Sequence, residues 1–302
     1  MNNTNKQVTE PKKPAFDLYQ TITNTIISHL EEGTAPWHKK WVGGNSTPFS
    51  LPINFSTNRY YKGINILLLW SAASKNQFTT NEWATLKQWN EKKEKIRKNE
   101  KSSMIVYFDM MEKEIEGEVE KIPFLKYSKV FNRSQLESYT PTPAEPELPL
   151  LVERLERVEK FVANTKADVK HQGYDACYIP DQDVIHMPSK NSFINTDEMT
   201  ATEGYYSTLM HELTHWTGHP KRLDRKLSTK FGSNPYAEEE LIAEIGAAFL
   251  SAALNITNAP KKDHANYIAT WLQVLKQNKY AIVGAARSAS KAVDYLKSLS
   301  NQ

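Results

Sequence analysis

The chain has 302 residues, 24% of them charged and 39% hydrophobic, which is ordinary for a globular protein long enough for two domains. It holds no apolar run of about 18 residues, so no membrane-spanning helix is expected. The single cysteine, Cys177, excludes an internal disulfide and fits a reducing cytoplasm. The net charge of +3 is unevenly spread: residues 1–105 carry 15 Lys/Arg against 8 Asp/Glu, whereas residues 141–302 carry 18 against 20. A basic first third implies an anionic partner, with nucleic acid as the expected one, against the plainer alternative of a solvated lysine-rich surface.

In chain order, residues 1–14 are rich in Asn, Lys and Pro without an apolar core, which predicts a disordered tail and not a secretory signal. Residues 15–32 read as an amphipathic helix, with Phe16, Tyr19, Ile22, Ile26, Ile27 and Leu30 on one side and Gly33 as its stop. An irregular segment follows in which Trp37 and Trp41 bracket Lys39 and Lys40. Asn58 before Arg59 predicts a turn, and Gly63-Ile64-Asn65 opens a helix through Trp70. A further helix is expected over 78–89 with Thr79 or Thr80 as cap, then a basic loop or ribbon edge over 92–101. Strands are expected at 104–110 and 128–131, with an exposed hairpin over 112–121. Five of the seven tryptophans lie in this part, and aromatic rings among lysines suit single-stranded nucleic acid, although Trp70, beside Leu67-Leu68-Leu69, reads as core.

Four prolines within residues 141–149 predict a stiff extended linker and a domain boundary. An amphipathic helix is expected over 150–164, then two short strands, 174–179 and 184–187, forming a hairpin. Helices are also expected over 203–216, 238–250, 264–276 and 280–299. The pattern is α+β in two domains, 15–140 and 150–302. The chemistry lies in the second, where His211-Glu212-Leu213-Thr214-His215 reads H-E-x-x-H. On a helix, started by Thr200 or Thr202 and stopped by Gly218 and Pro220, residues four apart share a face, so both imidazoles reach one divalent ion. Glu212, one step round, reaches a water on that ion. Glu240 and Glu244 share a face of the next helix, where carboxylates among apolar residues need a partner. One can bind the ion while the other orients a histidine. This His₂Glu set favours zinc, with manganese or cobalt tolerated. Glu238 and Glu239 have a simpler explanation in the helix dipole, and His219 and His264 fall outside the pair.

The chain resembles the ArdC-type antirestriction proteins of plasmids and phages over nearly its whole length. The first domain is similar to that family's single-stranded-DNA-binding domain through residues 35–41, Asn58 to Asn65, Trp83 to Gln88, Arg97 to Lys101 and Val130-Phe131-Asn132. The second resembles its zincin-like metallopeptidase domain through Ile185 to Pro188, His211 to Gly218, Glu239 to Leu250 and Tyr267 to Leu275. One departure stands out: Asn99 replaces the glycine of the relatives' Arg-Lys-Gly-Glu-Lys. The order Glu240…Glu244 resembles the E-x-x-x-D of thermolysin-like zincins, which implies Glu240 as third ligand with Glu244 in support. The resemblance implies DNA binding and protection of incoming DNA from host restriction. The expected phosphate contacts are Lys39, Lys40, Arg59, Lys62, Lys87, Arg97, Lys98 and Lys101, with Trp37, Trp41, Tyr60 and Tyr61 as stacking surfaces. Glu212 is the expected general base of a metal-dependent peptidase acting on a peptide or protein substrate. The competing readings are a DNA-shielding protein with a structural or vestigial metal site, and a metal-dependent nuclease.

Overall fold

The computed structural model describes residues 16–33, 35–37, 50–115, 118–140, 151–195, 200–227, 234–256 and 264–300. The expected tail, the proline-rich linker and the candidates Lys39, Lys40 and Trp41 lie outside the described residues. Helix α1 (Leu18–Glu31) starts where the Asp17 side chain accepts the Gln20 N–H, and it buries Ile22, Ile26 and Leu30 on one stripe. A five-stranded sheet follows in the order β2-β1-β3-β5-β4, made of β1 (Ile53–Asn54), β2 (Arg59–Tyr60), β3 (Glu82–Ala84), β4 (Ser103–Ile115) and β5 (Glu118–Asn132). Helices α2 (Ile64–Asn76) and α3 (Leu86–Glu91) flank it.

Two expectations change here. The helix expected over 78–89 is instead β3 followed by α3. Trp83 sits between β1 and β5, opposite Asn54 and Asn132, with its indole buried against Leu69 and Val130. The helix begins only after Thr85, which closes a capping box with Gln88. The separate strands and hairpin expected over 104–131 form one ribbon, paired without a break from Ser103↔Val130 to Ile115↔Glu118. Its outer strand β4 would expose backbone groups at the sheet edge. The Asn65 carboxamide covers them, donating to Val106 O and accepting from Val106 N–H, both at 2.7 Å.

In the C-terminal half, α4 (Leu151–Thr165) precedes a three-stranded sheet of order β6-β8-β7. Strand β6 (Asp168–His171), not anticipated from the sequence, lies parallel to β8 (Val184–Met187), while β7 (Cys177–Ile179) pairs with β8 antiparallel. Helices α5 (Ala201–Trp216), α6 (Asn234–Leu254), α7 (His264–Gln277) and α8 (Ala281–Ser300) complete it. Among the described residues no helix is long and apolar enough to cross a membrane.

The two halves share one core. Ile22 and Ile26 of α1 and Leu67 of α2 belong to the same buried cluster as Trp271 of α7 and Ile282 and Ala286 of α8. Around that contact Lys279 pairs with Asp17 at 2.6 Å and Lys62 with Asp294 at 2.7 Å, and the Gly63 N–H donates to Ser290 Oγ at 2.8 Å. Gly63 itself has φ +57, a conformation that costs a glycine little.

Candidate metal centre and nucleic-acid face

Helix α5 is set by a second capping box, in which Thr200 Oγ1 accepts the Glu203 N–H and the Glu203 carboxylate accepts the Thr200 N–H. That makes Thr200, of the two candidates, the cap. Helix α6 crosses α5 at Gly246, where a Cβ would lie only 2.5 Å from Thr214 Cγ2. The absence of a side chain there lets the two helices approach, and the approach brings the carboxylates of one to the imidazoles of the other.

The Nε2 atoms of His211 and His215 lie 3.1 Å apart. Glu240 faces both, with Oε2 3.5 Å from His211 Nε2 and Oε1 3.3 Å from His215 Nε2. One donor atom from each of the three residues falls within 4.8 Å of the others, a spacing that fits a single ion. Each histidine is held from behind: His211 Nδ1 lies 3.3 Å from Glu244 Oε1, and His215 Nδ1 lies 3.1 Å from Glu239 Oε1. A carboxylate beside each Nδ1, hydrogen-bonded in the case of His215, favours the proton on that nitrogen and leaves the Nε2 lone pair of each ring turned inward. Two such lone pairs facing a carboxylate need positive charge between them, so the residues present fit a divalent cation. The electrostatics agree. Burial drags the His215 pKa down, but its hydrogen bonds to Glu239 and Glu240 win and push it up to about 10. Burial raises the Glu240 carboxyl, and hydrogen bonds to His211 and His215 outweigh it and hold the group well below its usual range.

Of the two glutamates on one face, then, Glu240 falls in the three-residue cluster and Glu244 stands behind His211. Glu239 is the residue that helix geometry passed over. It points about 100° away from Glu240, but an imidazole presents its two nitrogens to different sides. A carboxylate one residue round is therefore where His215 Nδ1 needs one. Arg225 fixes it, with Nε and Nη2 on the two Glu239 oxygens at 3.0 and 2.8 Å and its other donors on Thr217 Oγ1 and Thr214 O. Gly218 leaves room for this arginine, since a Cβ there would meet Arg225 Nη2 at 3.0 Å and Leu227 Cδ2 at 2.6 Å. The signal in the sequence was Arg225 itself, a cation nine residues beyond the end of α5 and thirteen before the acidic run at Glu238.

Glu212 is buried beside the cluster. Burial, and then the Glu212 charge, raise the thiol pKa of Cys177 on edge strand β7. Among the nearby phenols, Tyr236 hydrogen-bonds to Glu240 and to Tyr267, whereas Tyr205 reaches His171 and Tyr206 reaches Glu159.

The N-terminal candidates fare differently. Trp37 is fully buried and packs edge-on to Trp271 at 5.8 Å, so it offers no face to a nucleobase. Trp83 and Trp89 are likewise buried, and Trp70, partly buried, packs against the core and Phe249. Exposed rings come from tyrosine and phenylalanine: Tyr60 is 58% exposed, while Tyr61 is half-buried with its hydroxyl held by Asn54. Arg59, Lys87, Lys98 and Lys101 are exposed. Lys62 is exposed but tied to Asp294. Arg97 spends four of its donors inside the domain, on Glu100 Oε1, Leu136 O and Ser134 O. At Asn99 the backbone has φ +69, a left-handed conformation that glycine adopts freely and asparagine tolerates.

Comparison with known proteins follows these two regions. Residues 156–288 match the zincin-like metallopeptidase family model, and residues 16–131 match the N-terminal domain of anti-restriction factor ArdC. An uncharacterized protein, y4eC, from Sinorhizobium fredii is 34% identical over 95% of this chain and 93% of its own. DNA primase TraC of Escherichia coli is also 34% identical, but the chain spans only 27% of its length. The metal-free crystal structure of ArdC from plasmid R388 superposes with a TM-score of 0.78 at 38% identity, covering 95% of this chain and 98% of that one. Its Mn(II)-bound form gives 0.75 at 37% identity, over 94% and 98%. With both of its halves matched and whole-length likeness to a solved member, the chain belongs to the ArdC antirestriction family.

Proposed function

We propose that this protein binds single-stranded DNA through its N-terminal domain and carries a metal-dependent peptidase centre in its C-terminal domain. Together they protect incoming plasmid or phage DNA from host restriction in the cytoplasm. The observation that carries the enzymatic half is the convergence of His211 Nε2, His215 Nε2 and the Glu240 carboxylate, each backed by a partner. Zinc is the default ion for such a set, and manganese, present in a crystal form of the R388 relative, is a second. The bound ion would supply Lewis acidity toward a peptide carbonyl and an attacking water. Glu212 then acts as base, taking a proton from that water and returning it to the departing amine nitrogen. Tyr236 steadies the Glu240 carboxylate. In the N-terminal domain, the exposed Arg59, Lys87, Lys98 and Lys101 track phosphates and Tyr60 offers a ring, which makes binding tolerant of sequence and steeply weakened by salt.

Glu212→Gln tests it: peptidase activity disappears while metal content and DNA affinity stay at wild-type levels. A second reading, DNA shielding with a structural ion, is favoured by the burial of His211, Glu212 and Glu240. Under it the same variant protects DNA as well as the wild type does. Labelled single-stranded DNA left whole after incubation with protein and metal removes the nuclease.

A further inference from the structure

Away from the metal centre, a cleft of about 370 Å³ opens between the C-terminal end of α2 and the turn over residues 97–101. One wall is the Arg97 guanidinium, 44% exposed on its side chain. Nε and Nη2 donate to Glu100 Oε1 at 3.0 and 2.8 Å, Nη1 to Leu136 O at 3.1 Å, and Nη2 also to Ser134 O at 2.7 Å. Four of its five N–H donors are thereby spent. The edge of this cation is used up, but its flat face is held in a fixed orientation. A phosphate needs the edge and would also meet the Glu100 carboxylate in the same wall. A nucleobase needs only the face.

The other walls suit a base as well. Phe78 is fixed edge-on against Trp83 at 5.6 Å, and the Tyr139 ring is held by a 2.8 Å hydrogen bond between its hydroxyl and Thr79 Oγ1. Asn76 and Gln77 bring carboxamides, groups that match the donor and acceptor edges of bases. Exposed Lys98 and Lys101 lie on the same turn as Arg97, and Gln135 bolts that turn in place through Glu100 Oε2 and Lys101 O. We propose that this cleft takes one unpaired nucleobase, stacked on the Arg97 guanidinium, while Lys98 and Lys101 hold the phosphates on either side. The proposal rests on the reading of the N-terminal domain as a single-strand binder.

Two probes of equal length and charge separate base from backbone: a labelled thymidine homopolymer and its abasic counterpart, with affinities read by fluorescence anisotropy across a salt series. Wild type is expected to prefer the thymidine strand on the order of ten- to a hundredfold. Arg97→Lys, which keeps the charge and loses the plane, is expected to lose most of that preference with its salt slope unchanged. Because Arg97 also braces residues 134–136, the exposed pair Asn76→Ala with Gln77→Gly, the glycine suiting φ +54 at that position, serves as a second variant expected to lose part of it. Equal wild-type affinity for both strands, or full preference in both variants, overturns the cleft while leaving single-strand binding intact. Failure to bind either strand brings down the underlying reading as well.

Discussion

In the metal centre the two histidines rise from one helix and each is backed by a buried carboxylate: Glu244 behind His211, and Glu239, held by Arg225, behind His215. On the N-terminal face, Arg59, Lys87, Lys98 and Lys101 are exposed, mostly on short elements and turns, and the groups with firm partners there serve the framework, Arg97 within the domain and Trp37 against Trp271 of α7. An ion must be gripped at fixed distances, so its ligands need rigid backing. A flexible polyanion needs charge at roughly the right spacing, and mobile lysines suffice. The same logic sets the scale of what mutation does in each region.

Glu240→Ala carries the largest expected effect. It removes one of three convergent ligands, and metal affinity, measured by competition with a chelator, is expected to fall by more than about a hundredfold. DNA affinity is expected to hold, and a parallel loss of DNA binding would break the division between the two regions. Arg225→Lys comes next. The lysine keeps the charge but not the two-pronged grip on Glu239, so His215 loses its brace and metal affinity drops about ten- to a hundredfold. Unchanged affinity would mean that Glu239 needs no anchor. Third, changing Lys98 and Lys101 together to glutamine is expected to flatten the plot of log affinity against log salt by about 1.4 for single strands, with metal affinity untouched.

How much of this was legible depends on how tightly the chemistry constrains the residues. That His211, His215 and Glu240 come together could be anticipated, because metal ligation demands fixed residue types and two histidines four apart share a helix face. Glu239 could not, because its role depends on where Nδ1 of His215 points, a direction that no helical wheel reports. Trp37 misled because the ring that stacks on a base also fills a core well, and it finds Trp271 some 230 residues away. Strand β3 escaped because three residues hold no measurable period, and pairing on both sides, not propensity, makes it a strand. Strand β6 depends likewise on a parallel partner brought to it by the rest of the chain.

The smallest expected effect lies where the edge strand meets the metal helix. At the β7–β8 turn, Asp183 pairs with Arg222, whose Nη1 donates to Asp183 Oδ2 at 3.0 Å and whose Nε reaches Trp216 O at the end of α5. The hydrogen bond from Arg222 is the main reason that the Asp183 carboxyl is held below its usual pKa. A carboxyl lowered by folding stabilises the fold above its unfolded pKa of about 4 and gives up that contribution as the pH falls through the folded value. Asp183→Asn is therefore expected to lower the Tm by about 2 to 4 °C at neutral pH, equivalent to roughly 1 kcal/mol for a partly exposed pair. The two melting curves should converge as the pH drops below about 4. A gap that persists in acid would mean that shape, not charge, holds the turn. Metal affinity is expected to stay level, because the pair braces the end of α5 and not its ligand face; a change there would extend the rigid framework of the metal centre out to the edge strand.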